Sequence, residues 1–303
     1  MKDLIVVGSS NMDLVINMPR IPLAGETILG GKSSMIFGGK GANQAVTAAR
    51  LGGKMAFITK LGKDIFGDNM KLHFANEGLP TEYILTDANE PTGIAQIFVS
   101  DKGENVIAVA PGSNGTLSTD DLKPFEHLIA NAKVILLQLE IPIETVSKII
   151  DIAYQHQVKV ILNPAPAQTL STDLLKKVWL LTPNEHEASL LTGIQVIDID
   201  SAKESALYLL HQGIENVIIT LGENGCLFCN KKGSTHFSAF KTTPIDTTAA
   251  GDVFNGALAV AITQNQPFEK SIPFANAAAS ISVGRKGAQT SIPQLKEVVA
   301  LLE

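Results

Sequence analysis

The chain has 303 residues, 45% of them hydrophobic, enough to bury a large core in one big α/β domain or two modest ones, so disorder is not the default. A formal charge of -6 at pH 7 with no Lys/Arg cluster excludes a protein that tracks nucleic-acid phosphates and leaves a small-molecule partner as the expectation. No stretch approaches the roughly 18 apolar residues that span a bilayer, and the short apolar run after Met1-Lys2-Asp3 falls short of a signal-peptide core, so a cytoplasmic protein with no membrane partner is expected.

The first apolar run, Leu4 to Val7, reads as a buried strand. It leads into Gly8-Ser9-Ser10-Asn11-Met12-Asp13, which puts amide and carboxylate side chains at the carboxyl end of a strand, where open α/β sheets bind ligands. A dinucleotide fingerprint is missing, because the second glycine is absent and no acid closes a following strand. Leu14 to Met35 reads as half-exposed strands of a flap; within it, Gly25 and Gly31-Lys32-Ser33 are separated by five residues where a Walker loop needs four. Phe37-Gly38-Gly39-Lys40-Gly41-Ala42-Asn43-Gln44-Ala45 then joins the flap to a helix over Ala42 to Leu51. Its glycines, with Lys40 and Asn43, suit a hinge that closes over a polyol, or a plain glycine-rich turn before a helix.

A strand over Met55 to Leu61 and a helix over Asp64 to Glu77 follow, then alternating flap strands over Thr92 to Ala110 that turn at Asp101-Lys102-Gly103. Beyond them come helix Leu122 to Asn131, strand Val134 to Leu139 ending beside Glu140, helix Ile143 to Gln155, and strands Val158 to Leu162 and Trp179 to Thr182. Helix Ser201 to His211 and strand Val217 to Leu221 precede Cys226 and Cys229, a lone C-x-x-C that reads as two cysteines on one strand of a hairpin rather than a zinc or redox site. Helices over Val253 to Gln264 and Phe268 to Val283 complete the pattern. Strands alternating with helices predict a mostly parallel, doubly wound α/β sheet. With no linker or repeat, the expectation is a single domain, 1–303, with a small β-strand lid formed by roughly 14–38 and 91–112.

The most informative segment is Asp246-Thr247-Thr248-Ala249-Ala250-Gly251-Asp252-Val253-Phe254-Asn255-Gly256-Ala257, a small-residue turn entering an apolar helix. Small side chains at Ala249, Ala250 and Gly251 let backbone N–H groups approach a ligand at a helix N-terminus, where a transferred phosphoryl group would find preorganised donors. Asp252 stands where a carboxylate can take the proton of an attacking hydroxyl, although Asp in a first turn also serves as an ordinary helix cap. Gly251 weakens a helix start, which argues for close backbone approach.

Together these segments resemble the ribokinase family of carbohydrate kinases, also called the PfkB family, from Val7 to Pro293. The glycine-pair segment is similar to the first family signature and Asp246 to Gly256 to the second, with one extra alanine; Gln138-Leu139-Glu140 and Arg285-Lys286-Gly287-Ala288-Gln289 add to the likeness. The resemblance implies a three-layer α/β/α fold and ATP-dependent phosphorylation of ribose, with fructose, a deoxyribose or adenosine as alternative acceptors. It implies that Asn11, Asp13, Gly39, Lys40, Asn43 and Glu140 hold the sugar while Asp252 deprotonates its primary hydroxyl. Asn184 and Glu187 would handle magnesium and phosphates, with Thr220, Gly222, Gly225, Gly251 and Asn276 around the nucleotide. A potassium ion would be held by Asp246, Thr248, Ser282, Arg285, Gly287 and Ser291, several through backbone carbonyls. A homodimer paired through the lids is expected, since an isolated flap has strand edges to cover. Val253, where Thr is common, and Thr290-Ser291, where Pro-Ser is common, depart from the pattern without touching a polar role. A non-catalytic sugar-binding regulator and a nicotinamide-dependent oxidoreductase are the rival classes.

Overall fold

Residues Leu4 to Val7 are fully buried and divide their side chains between two cores: Leu4 and Val6 face one, Ile5 and Val7 the other. This is the signature of a strand covered on both faces, and it makes Leu4–Val7 (β1) the centre of the structure. The computed structural model describes residues 2–29 and 31–303; Met1 and Gly30, which fall within the expected domain and lid, lie outside the described residues.

In chain order, β1 is followed by β2 (Asn11–Met18), β3 (Lys32–Gly38), α1 (Lys40–Arg50), β4 (Met55–Gly62), α2 (Ile65–Asn76), β5 (Ile84–Asp87), β6 (Gly93–Ser100) and β7 (Asn105–Ala110). Then come α3 (Glu126–Ala130), β8 (Val134–Leu137), α4 (Ile143–Gln155), β9 (Lys159–Leu162), α5 (Thr172–Leu175), β10 (Leu180–Leu181), α6 (Glu185–Thr192) and α7 (Ile199–His211). The chain ends with β11 (Asn216–Thr220), the hairpin β12 (Cys226–Asn230) and β13 (Gly233–Phe237), and helices α8 (Ala250–Thr263), α9 (Phe268–Val283) and α10 (Leu295–Leu302).

Nine strands form one sheet in the order β13-β12-β11-β10-β9-β8-β1-β4-β5, parallel except where the β12–β13 hairpin adds two antiparallel strands. Helices α1, α8 and α9 pack into the core on one face, and α4 and α7 into the core on the other, giving the expected doubly wound layers. Strand order reverses between β1 and β8, so the crevice beyond their carboxyl ends is the natural ligand position. Cys226 and Cys229 share β12, both buried and free, and burial pushes their thiols up to about 12 and about 11, as inert core residues.

A second sheet, β3-β2-β6-β7, stands apart. Its outer strand β7 is exposed along its whole length, and an open cavity of about 730 Å³ separates the sheet from 244–248 and 286–290, with Asp13, Ser34 and Ile97 on one wall and Asp246, Thr248 and Gly287 on the other. The helix expected over Leu122 to Asn131 is broken: Pro124 sits inside a 3-10 segment, Asp120–Phe125, and regular helix starts only at Glu126. No helix among the described residues is long and apolar enough to cross a membrane.

Candidate active site

The glycines around the root of the smaller sheet are required by packing. A Cβ on Gly38 would stand 2.2 Å from the Asp13 carboxylate, and one on Gly41 2.5 Å from the backbone of Gly8. Gly39 is the N-cap of α1 with φ 92, a conformation that excludes most side chains, and a Cβ there would stand 2.8 Å from the Ser10–Asn11 backbone. This contact brings the start of α1 against the segment after β1. Asn114 fixes that segment from below, accepting from the Ser10 amide at 2.8 Å and donating to the Ser10 carbonyl and to Asn11 Oδ1. Glu140, just past β8, accepts from the Lys40 amide at 3.0 Å and from the Ser9 hydroxyl, so it occupies the N-terminus of α1. Asn11, Asp13, Gly39, Lys40, Asn43 and Glu140 therefore surround one end of the crevice.

Helix α8 supplies the other wall. Gly256 lets it approach α1 closely, since a Cβ there would lie 2.7 Å from the Gln44 carbonyl. Unlike α2, α6 and α7, whose Asp64, Asn184 and Asp198 side chains cap them, α8 has no side-chain cap. Its N-cap is Ala249 at φ 61, ψ 9, a left-handed conformation that is strained for alanine. The Gly251 and Asp252 amides make no hydrogen bond among the described residues, and a Cβ placed on Gly251 meets nothing within 4 Å. No neighbouring element requires glycine at that position, and the space above it is open. Two unbonded amides at an uncapped helix start offer donors of the kind that receive an anion.

Asp252 is buried, and its carboxylate is not a cap: Oδ2 accepts from Asn43 Nδ2 and Oδ1 from Gln44 Nε2, both at 3.0 Å. Burial raises its pKa, against the pull of Lys40 and the two amides. Asp13 is pushed up to about 7, first by burial and then by Glu140 and Asp252. Lys40 pays the same desolvation, yet its pKa rises because Asp252, Glu140, Glu187 and Asp13 outweigh it. One ammonium thus faces four carboxylates. Such a group can both receive a proton and anchor several hydroxyls.

On the nucleotide side expected from the sequence, Asn184 and Glu187 form a capping box at the start of α6, each bonded to the other's amide. Glu187 is buried and its pKa raised, by burial first, which leaves one carboxylate oxygen outside the box for a ligand. Thr220 ends β11 beside Asn184, its amide bonded to the Pro183 carbonyl, and Gly222 and Gly225 follow at positive φ. Asn276 is buried against this loop, bonded to the Ser238 carbonyl and in contact with Cys226. At the cavity floor, Asp246 accepts from the Thr248 and Gly287 amides; these bonds hold its pKa low although burial works the other way. Ser282 and Ser291 are buried nearby, while the Arg285 side chain turns away to pair with Glu297. With its side chain paired to Glu297, Arg285 can offer this cluster of oxygens only its carbonyl.

A family model described as pfkB family carbohydrate kinase matches residues 1–295. A ribokinase of Haemophilus influenzae is 46% identical over 302 residues, covering 100% of this chain and 99% of its own. The chain belongs to the pfkB family of carbohydrate kinases. Among solved structures, a ribokinase of Thermotoga maritima matches with TM-score 0.91 at 37% identity, over 100% of this chain and 99% of that one. A ribokinase of Arabidopsis thaliana complexed with ribose and ATP matches with TM-score 0.92 at 33% identity, over 100% and 99% of the two chains.

For a carbohydrate kinase, the arrangement offers a carboxylate beside uncapped helix amides, and polar side chains in place to hold a polyol. Besides Asn114, four participants escaped the sequence reading. Gln44 bonds Asp252 directly, and Asn163, Thr182 and Asn255 extend the contact beneath the site. Their partners lie as far as 208 residues apart, so no local spacing exposes them. The one available signal was position: Asn163 and Thr182 stand just past two buried strands, at the sheet's carboxyl edge.

Proposed function

We propose that this carbohydrate kinase transfers the γ-phosphoryl group of ATP to O5 of D-ribose, giving ribose 5-phosphate and ADP. The observation that carries the reading is the buried Asp252 carboxylate beside the open amides of Gly251 and Asp252, in a chain 46% identical over its full length to a ribokinase. Asn11, Asp13, Gly39, Lys40, Asn43 and Glu140 hold the sugar hydroxyls; Asn43 Oδ1, buried without a partner, is one unfilled acceptor. Asp252 takes the O5 proton as O5 attacks in line, and the backbone of Ala249, Ala250, Gly251 and Asp252 receives the charge that develops on the phosphoryl oxygens.

Asn184, Glu187, Thr220, Gly222, Gly225, Gly251 and Asn276 bind the nucleotide, and Glu187 would help hold the magnesium ion that offsets its phosphate charge. Potassium bound at Asp246, Thr248, Ser282, Arg285, Gly287 and Ser291 would brace the anion turn. The single domain closes a lid, roughly 14–38 and 91–112, over the cavity to exclude water, and two copies pair through their lids as a cytoplasmic homodimer. The deciding assay follows ADP formation from MgATP with ribose, 2-deoxyribose, fructose and adenosine, each with potassium or a large organic cation in its place. Ribose-dependent, potassium-stimulated turnover is the expected result. Preference for another acceptor would move the specificity, and sugar binding without turnover would remove the kinase reading.

A pH dependence follows from Asp13. In the empty site its carboxyl is half protonated near pH 7, so kcat/KM for the sugar falls as pH drops through that value and an acceptor is lost. Stability runs the other way. The folded state holds a proton that the unfolded state, with the ordinary carboxyl pKa of 3.8, has released, so stability declines as pH rises from about 4 to about 7. Denaturation of wild type and Asp13→Asn across this range is expected to show a shallower decline in the variant; parallel curves would reject the assignment.

A further inference from the structure

Gln44 is fully buried on α1 and satisfies every polar atom of its amide. Nε2 donates to Asp252 Oδ1 at 3.0 Å and to Asn163 Oδ1 at 3.1 Å, and Oε1 accepts from Gln138 Nε2. The polarity of this chain is set by the main sheet. The Thr182 carbonyl can only accept, so Asn163 must turn its Nδ2 toward it, at 3.2 Å, and its Oδ1 toward Gln44. Gln44 must then present its NH₂ group to both Asn163 and Asp252.

The circuit also closes on the anion turn. Thr182 Oγ1 donates to Asn255 Oδ1 at 2.6 Å, and Asn255 Nδ2 donates to the Gly251 carbonyl at 2.8 Å. Residues just past β9 and β10 thereby hold both Asp252 and the turn before it in one hydrogen-bonded ring. Lys40, Asn43, Glu140, Asp13 and Glu187 face Asp252 from the other elements, and of these only Asn43 touches it.

We propose that Gln44 is a positioning residue for phosphoryl transfer, aiming the Asp252 carboxylate and holding it ionised through a donor whose direction Asn163 fixes from the sheet. The role rests on the kinase function proposed above. Gln44 does not act on the sugar; it decides where the base stands and how readily it loses its proton.

The test is the pH profile of kcat at saturating sugar, where bound substrate already engages Asp13, in full-length wild type, Gln44→Leu and Asn163→Leu, with the sugar KM also resolved and thermal unfolding recorded. In Gln44→Leu, kcat is expected to fall about tenfold to a hundredfold, as for a misplaced catalytic group, with the sugar KM changed by less than about threefold. Its ascending limb is expected to move up by about one pH unit, because the lost donor favoured the charged form. Asn163→Leu moves the limb in the same direction by less, and the double variant is no worse than Gln44→Leu. A limb that stays in place in Gln44→Leu, or in Asn163→Leu should the first variant fail to fold, overturns the role. Wild-type turnover, measured first, keeps the two ideas apart: its absence removes the kinase function and this role with it, whereas turnover with an unmoved limb removes the role alone.

Discussion

Asp252→Asn is expected to lower kcat by about 10²- to 10⁴-fold, the usual worth of a positioned general base, while ribose still binds. Gln44 presents a fixed donor, so the new side chain must turn its oxygen to Gln44 and its NH₂ to Asn43, whose unpartnered Oδ1 has to flip round to accept it. Titration calorimetry with the sugar and an unfolding curve therefore accompany the kinetics, to separate lost chemistry from lost packing. A variant that binds ribose and folds but does not turn over supports Asp252 as base; near-normal turnover would exclude it.

Gly251→Ala should separate stability from activity in opposite directions. The methyl group meets no atom of a neighbouring element within 4 Å, and alanine replaces glycine inside a helix, so the variant is expected to gain about 0.5–1 kcal/mol of stability. The same methyl projects over the two uncapped amides where the transferred group is proposed to sit. Loss of one such donor costs about 10²–10³ in kcat, and a fall of that order is expected here. A variant that is more stable and equally active would show that the open space over Gly251 is not where transfer occurs.

The alternation of buried strands and amphipathic helices made the main sheet legible, and helices Ile143–Gln155 and Phe268–Val283 begin and end where the pattern places them. Local pattern failed where a local rule was outweighed. Pro124 broke one expected helix, and the four-residue Ile84–Asp87 and the terminal Leu295–Leu302 carry too little periodic signal to stand out. Helix α8 starts at Ala250, three residues before its apolar run, because the left-handed Ala249 turns the chain there. In the site, glycine spacing and the Asp246 to Ala257 segment were visible as motifs. The supporting amides were not, since Gln44 in an alanine-rich helix looks like any polar residue until the fold sets Asn163 and Asp252 against it.

The single ammonium of Lys40 among Asp13, Glu140, Asp252 and Glu187 bears on what happens after the transfer. An uncharged sugar enters this surplus of negative charge without penalty, but the phosphorylated sugar carries about two negative charges into the same crowd. Once the nucleotide and its cations depart, like charges at close range and little solvent screening drive the product outward. The pocket that admits the uncharged acceptor thus repels its charged product, which speeds release and weakens product inhibition without altering the overall equilibrium.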